Sequence, residues 1–260
     1  MRIARFAVDG EVSFGVVEGP GQDPADLVVA PIDGHPFGPF AFVGERLALS
    51  SVRLLAPVLP SKVVCIGKNY ADHVAEMGGA APPQTPVVFL KPSTAVIGPG
   101  DAISLPRDSV RVDHEAELAV VIGRLCRDVP RERALEVVLG YTCANDVTAR
   151  DHQEADGQWA RAKGHDTFCP LGPWVQTDLD VTDVGIRCQV GVHLRQDSRT
   201  AMLLHDVPSL IEWVSRCMTL LPGDVLLTGT PAGVGPLVAG DSVSVWVDGI
   251  GTLTNPVVAR

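Results

Sequence analysis

The stretch Val112-Asp113-His114-Glu115-Ala116-Glu117-Leu118-Ala119-Val120-Val121-Ile122-Gly123 decides how the rest of the chain is read. Acids alternate with other residues and then give way to an apolar tail, the pattern of a buried β-strand. Successive side chains on a strand point to opposite faces. Asp113, Glu115 and Glu117 are therefore expected on one face, and His114, Ala116 and Leu118 on the other. Neighbours on the acidic face would lie about 6–7 Å apart. Carboxylates that close repel each other and resist burial unless a cation joins them. Hard divalent ions such as Mg²⁺ and Mn²⁺ prefer these oxygens. An edge strand with a solvated acidic face is the competing reading, and the remaining sequence has to choose between them.

Bulk properties narrow the classes. A chain of 260 residues, 46% hydrophobic and 20% charged, can hold one large core, or a large domain and a small one. Its 26 glycines and 21 prolines favour many turns and short strands over long helices. The formal net charge is −10, and the basic residues form no stripe, which argues against nucleic acid as a partner. No apolar run approaches the roughly 18 residues of a membrane helix, and the N-terminus lacks the apolar core of a signal peptide. A cytoplasmic protein is expected. Cys65, Cys126, Cys143, Cys169, Cys188 and Cys217 are scattered, with no C-x-x-C pair. They read as buried, reduced, structural thiols.

Two units are expected, a small β-domain over residues 1–57 and a larger domain over 58–260. In the first, residues 2–6 and 13–17 read as strands paired around the Asp9-Gly10 turn. The prolines of Ala56-Pro57-Val58-Leu59-Pro60 stiffen an extended boundary. Beyond it, β-runs at 63–66, 87–90, 118–122, 225–228 and 243–247 alternate with turns. Helices are expected at 131–139 and 207–218. The fold class is α+β and β-rich.

Several constellations carry chemistry. Asp146, at the end of the apolar run Tyr141-Thr142-Cys143-Ala144, is placed to serve as a third carboxylate ligand; a turn or a helix cap is the alternative. Residues 69–79 read as a short helix capped by Asn69 and ended by Gly78. His73 and Glu76 share a face there, and a carboxylate beside an imidazole makes a general base. A solvated His–Glu pair is the plainer account. So short a helix is marginal alone and suits a lid. Lys163, among small and apolar neighbours, could hold a carboxylate or a developing oxyanion, or be an ordinary surface cation. Residues 221–235 run from a strand into a Gly/Thr loop that is a tight turn first and an anion site second.

Taken in order, these segments resemble the fumarylacetoacetate hydrolase superfamily. The matching blocks are Gly67-Lys68-Asn69-Tyr70-Ala71-Asp72-His73, the acidic strand with Glu115 and Glu117, and Asn145-Asp146-Val147-Thr148-Ala149-Arg150-Asp151. Residues 163–174, 221–235 and Gly249-Ile250-Gly251-Thr252-Leu253 complete the set. The resemblance covers roughly residues 62–257, and the first 55 or so look like the small β-domain that precedes the catalytic domain in some bacterial members. It implies a mixed β-roll, a homodimer, and Mg²⁺, Mn²⁺ or sometimes Ca²⁺ held by Glu115, Glu117 and Asp146, with Asp113 outside the ligand set. It implies His73 and Glu76 as a base pair carried on a lid, and Lys163 as the contact to an oxyanion or substrate carboxylate. Arg150, Gln153, Thr230 and Tyr70 fall where the family touches substrate.

The implied substrates are dicarboxylates or 2-oxo acids, in particular β-dicarbonyl acids and their enols. The implied reactions are C–C hydrolysis of the acylpyruvate or fumarylpyruvate type and isomerisation of the 2-hydroxyhepta-2,4-diene-1,7-dioate type. Oxaloacetate decarboxylation or tautomerisation on the same scaffold is the alternative. A non-catalytic metal-binding protein is a further one, which leaves His73 and Glu76 without a purpose. Two departures concern the substrate. Lys68 stands where many relatives carry another residue, placing a cation at the entrance that selects dianions. The segment Arg195-Gln196-Asp197-Ser198-Arg199-Thr200-Ala201-Met202 keeps the family's Arg-Gln and Thr but alters the rest.

Overall fold

The apolar tail of the acidic segment forms strand Ala116–Ile122, all of it buried. The structure is a computed structural model and describes residues 1–260 apart from Gln22 and Ala80. Strand Ala116–Ile122 pairs antiparallel with Val138–Asn145 on one side and Val225–Leu227 on the other. Leu118, Val120 and Ile122 enter one hydrophobic cluster, with Val64, Ile66, Tyr141 and Cys143, while Ala119 and Val121 enter a second with Val63, Cys65, Ala144 and Leu171. Burial on both faces explains why the tail is continuously apolar. Each large aliphatic side chain buried there contributes about 1.5–3 kcal/mol.

From this centre a mixed sheet grows in both directions, thirteen strands among the described residues. One side continues through Val225–Leu227, parallel to Val63–Gly67, and ends at Val87–Lys91. The other continues through Cys169–Gln176 to Arg2–Val8, Glu11–Glu18 and Val28–Gly34. The hairpin expected around Asp9-Gly10 is present. Its first strand joins the larger body directly, Arg2 opposite Gln176 and Ile3 opposite Val175. A five-stranded sheet, including Gly185–Val190, His193–Arg199, Ser242–Val247 and Gly251–Ala259, covers one face of the core. Four α-helices are described: α1 (Ala71–Glu76), α2 (Arg150–Asp156), α3 (Ala160–Gly164) and α4 (Val207–Cys217). The last is capped by Asp206, whose carboxylate accepts from Ser209 N–H, and buries Leu210, Ile211 and Val214.

Four expectations are corrected. The segment 112–123 is two strands, Val112–His114 and Ala116–Ile122, because the chain crosses between sheets at Glu115. Val112–His114 pairs instead with Thr148–Ala149 and Gly235–Pro236 in a third, three-stranded sheet. Asn69 does not cap α1; Tyr70 holds the cap position, without a side-chain bond. The Asn69 amide is committed elsewhere, donating to the His205 and Thr228 carbonyls at 3.0 and 2.8 Å. The helix expected at 131–139 is a 3₁₀ turn, Arg131–Val137, after which Val138 enters the central sheet. The cysteines are free, but Cys217 is exposed and Cys126 half-buried, so only four are buried thiols.

Candidate active site

The crossover at Glu115 brings the acids together. Glu115 N–H donates to the Asn145 side-chain oxygen at 2.9 Å, and Asp146 N–H returns to the Glu115 carbonyl at 2.9 Å. Asn145 ends its strand directly opposite Ala116, so Asp146, the next residue, emerges beside Glu115 and Glu117. Ligand atoms from these three carboxylates all lie within 4.8 Å of one another, and all three residues are buried. Asp113 is not among them. Its carboxylate accepts from Arg150 at 2.9 Å and from Arg111 at 3.1 Å.

Cations surround two of the three acids. Lys163, carried by α3, places its ammonium 2.8 Å from Glu115 Oε2 and 2.7 Å from Asp146 Oδ2. Lys91, completely buried, donates to Asp146 Oδ1 at 2.6 Å and to the Val147 carbonyl at 3.1 Å. Arg150, at the start of α2, reaches Glu115 Oε1 at 2.6 Å. Burial alone would raise the Glu115 carboxyl, but Lys163 and Arg150 outweigh it and hold the group well below the usual carboxylate range. Burial likewise lowers Lys163, and Asp146 and Glu115 reverse the sign, keeping its ammonium charged beyond its ordinary range.

Glu117 is different. Its one hydrogen bond among the described residues comes from Gly229 N–H, to Oε2 at 2.6 Å. Gly229 holds φ +102, and a Cβ there would stand 2.7 Å from Asn69 Cβ, so the approach needs glycine. Burial first, and then the Asp146 and Glu115 charges, push the Glu117 carboxyl well above its normal value. A buried carboxylate with one donor, facing two other acids, fits a site that takes a cation. The donor set is all oxygen, which suits Mg²⁺, Mn²⁺ or Ca²⁺.

A cavity of about 260 Å³ opens over the acids. Glu115, Glu117 and Asp146 lie in its wall with Lys68, Arg150, Gln153 and Thr230; Ile66, Phe89 and Trp159 supply apolar surface. Lys68 holds φ +59, a left-handed conformation that costs a non-glycine residue about 1–2 kcal/mol. His73, from α1, also lines the cavity. Its Nδ1 is 3.1 Å from Glu76 Oε2, and Glu76 Oε1 accepts from Gly233 N–H at 2.9 Å. His73 Nε2 has no partner among the described residues. Arg150 donates to Gln153 Oε1 at 2.9 Å, which joins two of the expected substrate contacts.

Three expected site residues stand apart from this cavity wall. Glu76 faces an adjoining cavity of about 280 Å³, which shares Met77, Arg150 and Glu154 with the first. Lys163 is almost fully covered, with one N–H left over from its two carboxylate bonds. Tyr70 is completely buried, its hydroxyl unpartnered. Burial first, and then the Glu117 and Asp72 charges, raise that phenol. Lys91 and Gln196 escaped the sequence reading as individual functional candidates. A lysine closing the apolar run Val87-Val88-Phe89-Leu90 was the signal for the first.

Known proteins share this chain's sequence pattern and fold. The sequence model of the "Fumarylacetoacetate (FAA) hydrolase C-terminal" family matches residues 62–258. The chain belongs to this family. Residues 1–57 match a second family, "Rv2993c-like, N-terminal". The crystal structure of 2-hydroxyhepta-2,4-diene-1,7-dioate isomerase from Mycobacterium marinum superposes with a TM-score of 0.94 at 52% identity, covering 100% of this chain and 99% of that one. Fumarylpyruvate hydrolase from Pseudomonas aeruginosa, in complex with Mn²⁺ and pyruvate, gives a TM-score of 0.73 at 33% identity over 77% of this chain and 91% of its own. The mitochondrial oxaloacetate tautomerase fahd2 of Xenopus laevis is 45% identical over 225 residues, 82% of this chain and 70% of the relative. No described helix is long and apolar enough to cross a membrane.

Proposed function

We propose that this chain is a divalent-metal-dependent enzyme acting on 2-oxo or 2-hydroxy-enoic β-dicarbonyl acids. The observation that carries the reading is the meeting of three buried carboxylates, within 4.8 Å of one another, in the same cavity as a carboxylate-oriented histidine. Glu115, Glu117 and Asp146 would hold Mg²⁺ or Mn²⁺. Such an ion polarises a 2-oxo carbonyl and offsets the negative charge that develops on deprotonation.

The chain's own residues do the rest. Glu76 accepts from His73 Nδ1–H, which fixes the tautomer and leaves Nε2 as the base on the cavity side. Gly233 N–H holds the far oxygen of Glu76 in turn. With Asp113 included, four acids face four cations, Lys91, Lys163, Arg150 and Arg111. A site loaded with a divalent ion is therefore net positive, which suits an anionic ligand head. Arg150, Gln153 and Thr230 orient that head, and the free N–H of Lys163 is available to a developing oxyanion. Lys68, in the wall, meets a second carboxylate on the substrate. Tyr70 is assigned a supporting place behind the wall rather than a substrate contact.

One base serves two outcomes. If His73 takes a proton from water as it adds to the distal carbonyl, the C–C bond breaks and the carbon that keeps the electron pair is protonated; if His73 takes the enol O–H proton and a proton is delivered to carbon, the enol is isomerised. The isomerase and hydrolase named above sit at these two ends. The tautomerase relative favours oxaloacetate tautomerisation as a second reading. The test is product analysis with Mn²⁺ on an acylpyruvate, oxaloacetate and a 2-hydroxydienedioate. Turnover of at least one is expected, reduced about 10²–10⁴-fold in His73→Ala. Unchanged turnover in that variant overturns the assignment of the base.

A further inference from the structure

Strand His193–Arg199 lies at the edge of the five-stranded sheet, and within it Gln196 alone is buried. A polar side chain turned inward from an exposed strand needs its hydrogen bonds satisfied. Gln196 satisfies all of them. Its Oε1 accepts from Ala116 N–H at 2.9 Å, and its Nε2 donates to the Pro231 carbonyl at 2.8 Å. A backbone N–H can only donate and a carbonyl can only accept, so these two contacts fix which end of the amide is oxygen. His114 Nδ1 lies 3.1 Å from the same oxygen and 3.3 Å from Cys188 Sγ.

The remaining Nε2–H of Gln196 points at Thr230 Oγ1, 2.7 Å away. The direction of that bond is now determined: Gln196 donates and the Thr230 hydroxyl accepts. Thr230 has no other side-chain hydrogen bond among the described residues, and it lines the cavity over the three carboxylates. Its own proton is unassigned and free to point into that space.

We propose that Gln196 is a positioning residue that sets the polarity of Thr230, presenting its O–H as a donor to an anionic oxygen of the ligand. The inference rests on the functional reading above, which makes that ligand a 2-oxo acid. Gln196 touches neither ligand nor reacting atoms and acts only through Thr230. Its residue number places it in the altered segment 195–202, so the segment reaches the site through one inward amide.

Gln196→Glu is the decisive variant, because it keeps the shape and reverses the bond. A carboxylate cannot donate to Thr230, so the hydroxyl would turn its proton toward residue 196 and its lone pairs toward the cavity. The probe is oxalate, titrated calorimetrically into the Mn²⁺-loaded protein. Oxalate affinity should fall by about tenfold or more, the range of a lost hydrogen bond to a charged group, while Mn²⁺ affinity does not fall. Thr230→Val should lose a comparable factor, Thr230→Ser should retain wild-type affinity, and Gln196→Glu should add no further loss in the Thr230→Val background. If Gln196→Glu does not fold, Gln196→Met takes its place: it deletes the bond without reversing it, so its oxalate loss should be smaller than that of Thr230→Val and should disappear in the Thr230→Val background. Wild-type oxalate affinity in a folded Gln196→Glu protein, or losses from a Gln196 variant that multiply with that of Thr230→Val, would overturn the proposal. Failure of the Mn²⁺-loaded wild type to bind oxalate would instead overturn the functional reading on which it stands.

Discussion

Lys91 offers the sharpest test of how the acidic cluster is held. Its side chain is 0% exposed, and its ammonium lies 2.6 Å from Asp146 Oδ1, itself 1% exposed. Lys91→Met keeps the length and apolar stem but removes the charge. Breaking one side of a buried ion pair costs about 3–5 kcal/mol, mostly because the surviving charge is left unpaired. Asp146 keeps Lys163 on its other oxygen at 2.7 Å, which places the expected loss at the lower end, about 3 kcal/mol. For a chain of this size that corresponds to a fall in Tm of roughly 6–12 °C. Adding Asp146→Asn removes the charge that was stranded, so the double variant should melt above the sum of the two single losses. Mn²⁺ should also raise Tm more in Lys91→Met than in the wild type, since it meets one more uncompensated carboxylate. The assay is thermal unfolding by circular dichroism, with and without Mn²⁺. A Lys91→Met protein melting within about 2 °C of wild type, or strictly additive double-variant losses, would refute the reasoning.

Two further predictions concern the frame of the site. Asp224 is buried; burial opposes its charge, but bonds from Lys62, Ser61 Oγ at 2.6 Å and Leu221 N–H at 2.8 Å prevail and hold its carboxyl below the usual value. A depressed carboxylate stabilises the fold above its unfolded pKa, about 3.9, and that stability is lost as pH falls through the folded value. The urea midpoint of Asp224→Asn should therefore lie below wild type at pH 7, and the gap should narrow at acid pH; a gap constant from pH 7 to pH 3 contradicts this. Gly229→Ala should weaken Mn²⁺ binding and destabilise the fold by about 1–3 kcal/mol, through its φ of +102 and the crowding on Asn69. Calorimetry showing wild-type Mn²⁺ affinity would contradict the role given to its N–H.

Much of the fold was readable because the relevant signals were local. Alternation around Asp9-Gly10 and the apolar run after Glu117 each specify a strand within a few residues. The amphipathic pattern of Leu210, Ile211 and Val214 similarly defines α4. The carboxylates were legible as a group because Glu115 and Glu117 are sequence neighbours and Asp146 ends a recognisable apolar run. What could not be read was the crossover at Glu115. It depends on Asn145, whose side chain captures Glu115 N–H across 30 positions. The same reason hid Lys91, whose partner Asp146 is 55 residues away, and Gln196, whose partners lie on two other segments. Asn69 misled because a residue suited to capping a helix can also bridge two distant loops. Local preference named the elements, and tertiary contacts chose between uses of the same side chain.

The central claim is that Glu115, Glu117 and Asp146 form one cation site. Mn²⁺ titrated into the wild type by calorimetry should bind with one ion per chain. Glu117→Ala should abolish that binding while its far-ultraviolet circular dichroism matches wild type, because Glu117 makes one hydrogen bond among the described residues. Undiminished Mn²⁺ affinity in a folded Glu117→Ala protein would contradict the account.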